Sequence, residues 1–312
     1  MKKNKITVFA PATVANLACG FDVMGLAVDA PGDEVTVEMT NKKEVRVKTI
    51  TGDGGRLSKA AEKNTASVAI IALNEDLHID QGFDVTIRKK MPLGSGLGSS
   101  AASAVAGVFA ANELLGRPFS RQELVPFAMM GEKMACGAAH ADNVAPSMLG
   151  GIVLIRSYNP LDIISLPVPE NLAVAVVHPH VEVLTRDARA VIPKKIDLHT
   201  GIAQWANTAA LTAGLFSSDY DLIARSVVDM VAEPNRAKLI PCFDQVKETA
   251  YNEGALACSI SGSGPSIFAL CEGMDSAKHV ASKMKRVFTG SKIKSDVFVS
   301  FVNTKGARIV KQ

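Results

Sequence analysis

Twelve residues, Met91-Pro-Leu-Gly-Ser-Gly-Leu-Gly-Ser-Ser-Ala-Ala102, restrict the possible folds more than any other stretch of this chain. Gly94, Gly96 and Gly98 alternate with other residues, so the backbone there can approach a ligand with no Cβ in the way. Ala101 to Leu115 follows as an apolar, alanine-rich helix that stops near Gly116 and Pro118. Ser99 and Ser100 stand where they can cap its start. Unpaired amides and the positive end of the helix dipole then point at one place, an anion site suited to phosphates. The spelling excludes a Walker A loop, which needs a Lys after the glycines. It also excludes a Rossmann fingerprint, whose sixth position is here Ser99. The catalytic-loop and metal-loop motifs of protein kinases are missing too.

The segments around the loop predict strands at Ile6–Phe9, ending at Pro11, and at Val35–Met39, Val45–Thr49 and Phe83–Arg88. A helix is expected from Asn64 to Leu73. Another starts at the capping box Ser120-Arg-Gln-Glu123, with Pro126 bending it or delaying its start. Strands at Ile152–Ile155 and Leu172–Val177 precede helical stretches near 199–216, 220–231 and 240–253. Two short strands flank Ser261-Gly-Ser-Gly264, and a helix (275–288) and a strand (296–302) follow. Strands and helices mix in both halves, which predicts an α+β chain of two domains, 1–160 and 161–312. A length of 312 residues suffices for two moderate cores.

Composition removes several classes of function. The net charge of +3 is too small for a surface that coats nucleic acid or a polybasic membrane contact. No run of 18 apolar residues suggests a membrane span. Lys2, Lys3 and Lys5 before an apolar stretch mimic a signal peptide, but Pro11, Asn16 and Asp22 interrupt it. Cys19, Cys136, Cys242, Cys258 and Cys271 are odd in number and scattered, the pattern of reduced thiols in a cytoplasmic protein.

The loop resembles the phosphate loop of the galactokinase, homoserine kinase and mevalonate kinase superfamily. Two further segments match in order: Ala10-Pro-Ala-Thr-Val-Ala-Asn-Leu-Ala-Cys-Gly-Phe-Asp22 and Ser259-Ile-Ser-Gly-Ser-Gly-Pro-Ser266. The resemblance implies a first domain like the second domain of ribosomal protein S5 and a ferredoxin-like second domain. It implies ATP and Mg²⁺ as cofactors. Pro92, Leu93, Gly94, Ser95, Gly96, Leu97, Gly98, Ser99, Ser100, Ala101 and Ala102 would hold the nucleotide phosphates. Gly262 and Gly264 would close over them, and Ser100 with Glu132 would reach the metal. Asn64 matches a segment that contacts the base and reads equally well as a helix cap.

Asn16 with Gly20-Phe-Asp22, His140-Ala-Asp-Asn-Val-Ala-Pro146 and Thr185-Arg-Asp-Ala-Arg189 most resemble the branch of the superfamily that acts on homoserine. That substrate carries an ammonium, a carboxylate and a hydroxyl. A site for it needs a carboxylate, one or two Arg forks and an amide or base near the hydroxyl. The resemblance gives Asn16 and Asp22 to the amino end and Arg189 and Arg236 to the carboxylate. Asn143 would orient the hydroxyl, with His140 and Thr185 close by. Whether Asp142 or Asn143 faces that hydroxyl stays open at this level. The expected product is O-phospho-L-homoserine, on the threonine pathway, and the expected assembly is a homodimer. A kinase of mevalonate or a sugar, or a silent sensor on the same fold, remains the alternative.

Overall fold

The computed structural model describes residues 4–137 and 140–311. Strands β1 (Lys5–Ala15), β2 (Met24–Thr40) and β3 (Val45–Thr51), helix α1 (Thr65–Asp76) and strand β4 (Gly82–Arg88) come first. Helices α2 (Ser99–Leu114), α3 (Arg121–Cys136) and α4 (Ala141–Leu149) precede the hairpin of β5 (Ile152–Tyr158) and β6 (Leu161–Leu166). After β7 (Leu172–Pro179) the chain forms α5 (Thr185–Ala190), α6 (Leu198–Ser217), α7 (Tyr220–Ser226), α8 (Glu233–Arg236) and α9 (Phe243–Asn252). It closes with β8 (Ala257–Ile260), β9 (Ile267–Glu272), α10 (Met274–Gly290), β10 (Ser295–Phe301) and β11 (Arg308–Lys311).

The first sheet runs β11–β1–β2–β4–β3, with β5 joined to β2 and β6 to β5. Among the described residues only β3 and β4 pair in parallel. Strand β2 pairs with β1 on one edge and is shared on the other: Met24–Leu26 pair with β5, and Glu34–Thr40 pair with β4. Strand β1 does not end at Pro11 but continues to Ala15. The ladder with β2 shifts register between Pro11 and Thr13, and such an irregularity accommodates a residue without an N–H. That extension delivers Asn16 to the cleft.

Helix α2 lies across β1 and β2 and touches α1, α3 and α4. Thirteen of its sixteen residues are buried, mostly Ala, Val and Gly. A helix apolar on every side belongs inside a core, and its small side chains let neighbours come close. A Cβ at Gly107 would already stand 3.0 Å from the Ala66 carbonyl.

The second sheet is antiparallel throughout, in the order β10–β7–β9–β8. Numbered within the domain, that is 4-1-3-2, the ferredoxin-like order. Strand β7 is buried along its whole length, as expected of an apolar run covered on both faces. Ala173, Ala175 and Val177 pack with Val246 of α9 and with Val280, Met284 and Phe288 of α10. Val174 and Val176 belong to the main core with Leu211 and Leu215 of α6. Full burial contributes about 1.5–3 kcal/mol for each large apolar side chain, so both faces hold the sheet.

The expected division at residue 160 falls in the β5–β6 turn, and β6 and β11, both beyond it, join the first sheet. Helix α7 stops at Ser226 rather than near 231, because Asp229 collects the amides of Val231, Ala232 and Glu233 and starts α8 instead.

Candidate active site

One cleft of about 520 Å³ lies between the glycine loop, the segment after β1, α4, α5 and the 261–264 turn. At its phosphate end Gly94, Gly96 and Gly98 all have φ between 67° and 77°, a region that favours glycine. A Cβ on Gly96 would collide with the Ser261 carbonyl, and one on Gly98 with Thr13 Oγ1. The second-domain turn does seat on the loop: Ser261 Oγ donates to Gly96 O at 2.8 Å, and Ser266 N donates to Ser95 O at 3.2 Å.

Ser99 and Ser100 do not cap α2. Gly98 takes the cap position without a side chain, and both hydroxyls bond elsewhere. Ser99 Oγ donates to Asp33 at 2.8 Å, and Ser100 Oγ donates to Glu132 Oε1 at 2.8 Å. Beneath the loop, Lys89 Nζ pairs with Asp33 and donates to Ser99 O at 2.7 Å and Ser103 Oγ at 2.9 Å. Burial pulls the Lys89 ammonium below its ordinary pKa, while Asp33 opposes the shift. The Asp33 carboxylate also accepts the amides of Lys90 and Met91, which fixes the entry to the loop.

Leu93, Gly94, Ser95, Gly96, Gly98, Ser99 and Ser100 line the cleft. Leu97, Ala101 and Ala102 do not: they are wholly buried and pack the base of α2. Gly264 lies behind Gly96, and Pro92 faces a separate recess with Lys285 and Phe298. Asn64 carries both of its alternatives. Its Oδ1 caps α1 through Ala66 N at 3.2 Å, and the residue lines the cleft.

At the other end of the cleft, Arg189 grips Asp22 with both terminal nitrogens, at 2.7 and 2.9 Å. His140 Nε2 stands 3.1 Å from Arg189 Nη2, so the neutral ring accepts there and carries its proton on Nδ1, towards Asp22. Burial holds the His140 pKa below its usual value. Arg236 is not a surface charge. It is buried, donating to Ala188 O at 3.0 Å and Gly262 O at 2.8 Å. Burial, then repulsion from Arg189, brings its pKa down to about 10. Both guanidiniums lie over one ring, Phe21, at 5.1 and 5.2 Å from its centroid.

Asn16 has φ 75°, and its amide is engaged at both ends. Nδ2 donates to Gly262 O at 3.0 Å, and Oδ1 accepts the Asp22 amide at 3.0 Å. It therefore shapes the segment that presents Asp22. Thr185 Oγ1 lies 3.5 Å from Ser263 Oγ. Asn143 Oδ1 accepts from Thr13 Oγ1 at 2.7 Å, beside Gly98. Asp142 lines the same wall, and burial, then Asp22 and Glu132, raise its carboxyl to about 7. Cys19 is inert packing, with burial pushing its thiol up to about 12. The Cys136 side chain lies outside the described residues.

The sequence reading missed Lys89, Asp33 and Phe21. Lys89 and Asp33 were legible only as common charges in or beside strands, and Phe21 stood inside the Gly20-Phe-Asp22 segment with no role of its own.

A glycine loop at a helix start facing paired arginines and a carboxylate agrees with the family comparison. The model for the N-terminal domain of GHMP kinases matches residues 64–151, and that for the C-terminal domain matches 211–290. The chain belongs to the GHMP kinase family. This GHMP kinase is 49% identical to a homoserine kinase of Chlorobium phaeobacteroides (strain BS1), across 98% of its own length and 99% of the relative's. It is 51% identical to a homoserine kinase of Chlorobium phaeovibrioides, across 97% and 98%. The crystal structure of homoserine kinase from Cytophaga hutchinsonii superposes with a TM-score of 0.97 at 56% identity, covering 99% and 98% of the two chains. Among the described residues no helix is long and apolar enough to cross a membrane.

Proposed function

We propose that this chain transfers the terminal phosphoryl group of ATP to the side-chain hydroxyl of L-homoserine, giving ADP and O-phospho-L-homoserine for threonine synthesis. The observation that carries it is the placement of Asp22, Arg189 and Arg236 together in the cleft that the glycine loop opens into. A carboxylate facing two guanidiniums fits a zwitterion, and neither mevalonate nor a sugar has an ammonium to offer Asp22. The names of the relatives point the same way.

Phosphoryl transfer proceeds through a loose transition state, so positioning and charge neutralisation dominate. The amides at the start of α2 face the phosphates. Ser100 and Glu132, already in contact at 2.8 Å, fit Mg²⁺, which takes one or two protein oxygens and completes its shell with phosphates and water. Bound there, Mg²⁺ would neutralise phosphate charge. Arg189 and Arg236 hold the substrate carboxylate, and Asp22 holds the ammonium. Asn143, its amide oriented by Thr13, directs the hydroxyl in line with the phosphate. No dedicated general base is required.

A coupled assay of ADP release with homoserine, mevalonate, galactose and serine tests this reading. Turnover with homoserine alone is expected. Silence with homoserine, or preference for mevalonate, overturns it. Asn143→Ala with full turnover and unchanged homoserine affinity would remove Asn143 from the scheme.

A further inference from the structure

Asp22 holds a backbone conformation that L side chains rarely adopt, with φ 61°. Asn16, Leu17 and Ala18 also have positive φ, so strain is concentrated in the few residues that lead to the Asp22 carboxylate. Strain of this kind lasts only where the surroundings over-determine the backbone, and it gathers at functional sites. Each polar group of Asp22 is accordingly engaged. Its amide donates to Asn16 Oδ1 at 3.0 Å, and its carboxylate accepts both terminal nitrogens of Arg189. Its carbonyl accepts Tyr158 Oη at 2.8 Å.

Tyr158 reaches that carbonyl from 136 positions away because β5 lies along the start of β2. Met24 pairs with Leu154, and Ile155 N donates to Val23 O at 2.7 Å, so β5 runs on past Asp22. The ladder of β5 with β6 shifts register between Ile155 and Ser157, and such a shift re-aims the side chains that follow. The Tyr158 residue is 41% exposed, yet its hydroxyl has a second partner: Ala141 N donates to it at 3.3 Å. Ala141 opens α4, and His140, in the cap position, makes no side-chain bond to the helix. The phenol oxygen therefore serves one of the amides left over at a helix start. The start of β2 and α4 already touch, since a Cβ on Gly25 would run into the Asp142 carbonyl. Burial, then the Asp142 carboxyl, hold the phenol above its ordinary pKa, so it stays a donor.

We infer that Tyr158 is a positioning residue for the substrate ammonium: its hydroxyl locks the Asp22 backbone and ties it to the start of α4. The inference rests on homoserine as the substrate. Asp22 meets the ammonium, while His140, Asp142 and Asn143 line the same cleft from the start of α4. One oxygen atom thus sets the distance between the group that holds the amino end and the wall that directs the hydroxyl. Tyr158 stands outside the cleft lining, so it acts through these neighbours and not on the substrate itself.

Tyr158→Phe removes that oxygen alone, from a half-exposed ring, and should leave far-UV circular dichroism unchanged. The KM for homoserine should rise about 5- to 10-fold, the worth of one hydrogen bond, while the KM for ATP stays within about 2-fold. An unchanged homoserine KM overturns the inference, as does an equal rise in both constants. In an Asp22→Asn background, adding Tyr158→Phe should raise the homoserine KM by less than about 2-fold, because the group it acts through is already lost. Full additivity of the two substitutions also overturns it. Amide exchange of the ligand-free chain judges the contact without substrate. Residues 16–24 and helix α4 should exchange about 3-fold faster in Tyr158→Phe, with α10 as in the wild type. Unchanged exchange in both segments overturns the inference. A wild type that neither binds nor turns over homoserine overturns the substrate reading instead, and the exchange result then decides the Tyr158 contact by itself.

Discussion

Lys89 and Asp33 form an ion pair in which the side chains are only 1% and 0% exposed, directly beneath the phosphate loop. The pair links the end of β4 to β2, and its hydrogen bonds reach Ser99, Ser103, Lys90 and Met91. A pair buried this deeply adds little net stability as a unit, but losing one partner leaves an uncompensated charge. Lys89→Met should therefore lower stability by about 3–5 kcal/mol, read from urea denaturation. Adding Asp33→Asn should recover much of that loss. A cost for Lys89→Met below about 1 kcal/mol would mean that the pair is not structural.

Phe21 supports two guanidiniums that repel each other, each gaining about 0.5–2 kcal/mol from the ring face. Phe21→Leu should raise the KM for homoserine about 10-fold and leave the KM for ATP near its wild-type value, with Phe21→Tyr restoring affinity. Arg189→Lys, which loses the two-pronged contact, should act more strongly on the same constant. Equal changes in both KM values would show that the ring merely holds the fold together.

Asp142 gives the protein a pH dependence of a defined sign. Its carboxyl is raised from 3.8 to about 7 in the folded state, so the native protein retains a proton that the unfolded chain releases across that range. Stability from this group is full below the lower value, falls as pH climbs through the window and is level above it. Asp142→Asn lacks the burden. Its Tm should exceed the wild type's clearly at about pH 8 and far less at about pH 5, the gap reflecting up to a few kcal/mol. A gap that does not change with pH would mean Asp142 does not titrate there.

Two glycines of the loop should respond differently to alanine. Both have positive φ, 68° at Gly94 and 77° at Gly96, so each substitution costs about 1–2 kcal/mol in backbone strain. At Gly94 nothing stands within 4 Å of the added carbon, whereas at Gly96 it meets Ser261 and Gly264. Calorimetric titration with ADP should show Gly96→Ala binding far more weakly than Gly94→Ala, together with a larger drop in Tm. Matching affinities would separate the 261–264 turn from nucleotide binding.

The glycine loop was legible because few backbones other than glycine's tolerate its φ angles, so geometry is written directly in residue type. The capping box at Ser120 and Glu123 is present as read, and α3 runs through Pro126. Helix α5, six residues long, and strands β6 and β11 were too short to show a period. Lys89 and Asp33 lie 56 positions apart, and each alone looks like a solvated charge beside a strand. The Arg189–Asp22 contact, 167 positions apart, was approached only because resemblance gave both residues to one substrate. Local pattern shows elements, while the pairing of distant charges is decided by packing.

Gly262 O receives Nδ2 of Asn16 and Nη1 of Arg236. A peptide oxygen is the same in every amino acid, so no substitution at position 262 can delete it. In descent, this corner can change only through its donors, and neither is at liberty: Asn16 also holds the Asp22 amide, and Arg236 also holds Ala188. Loss of either donor leaves the same oxygen short of a partner, which places selection on the one that survives. Loss of one donor should therefore tighten the constraint on the other, though 220 positions separate Asn16 from Arg236.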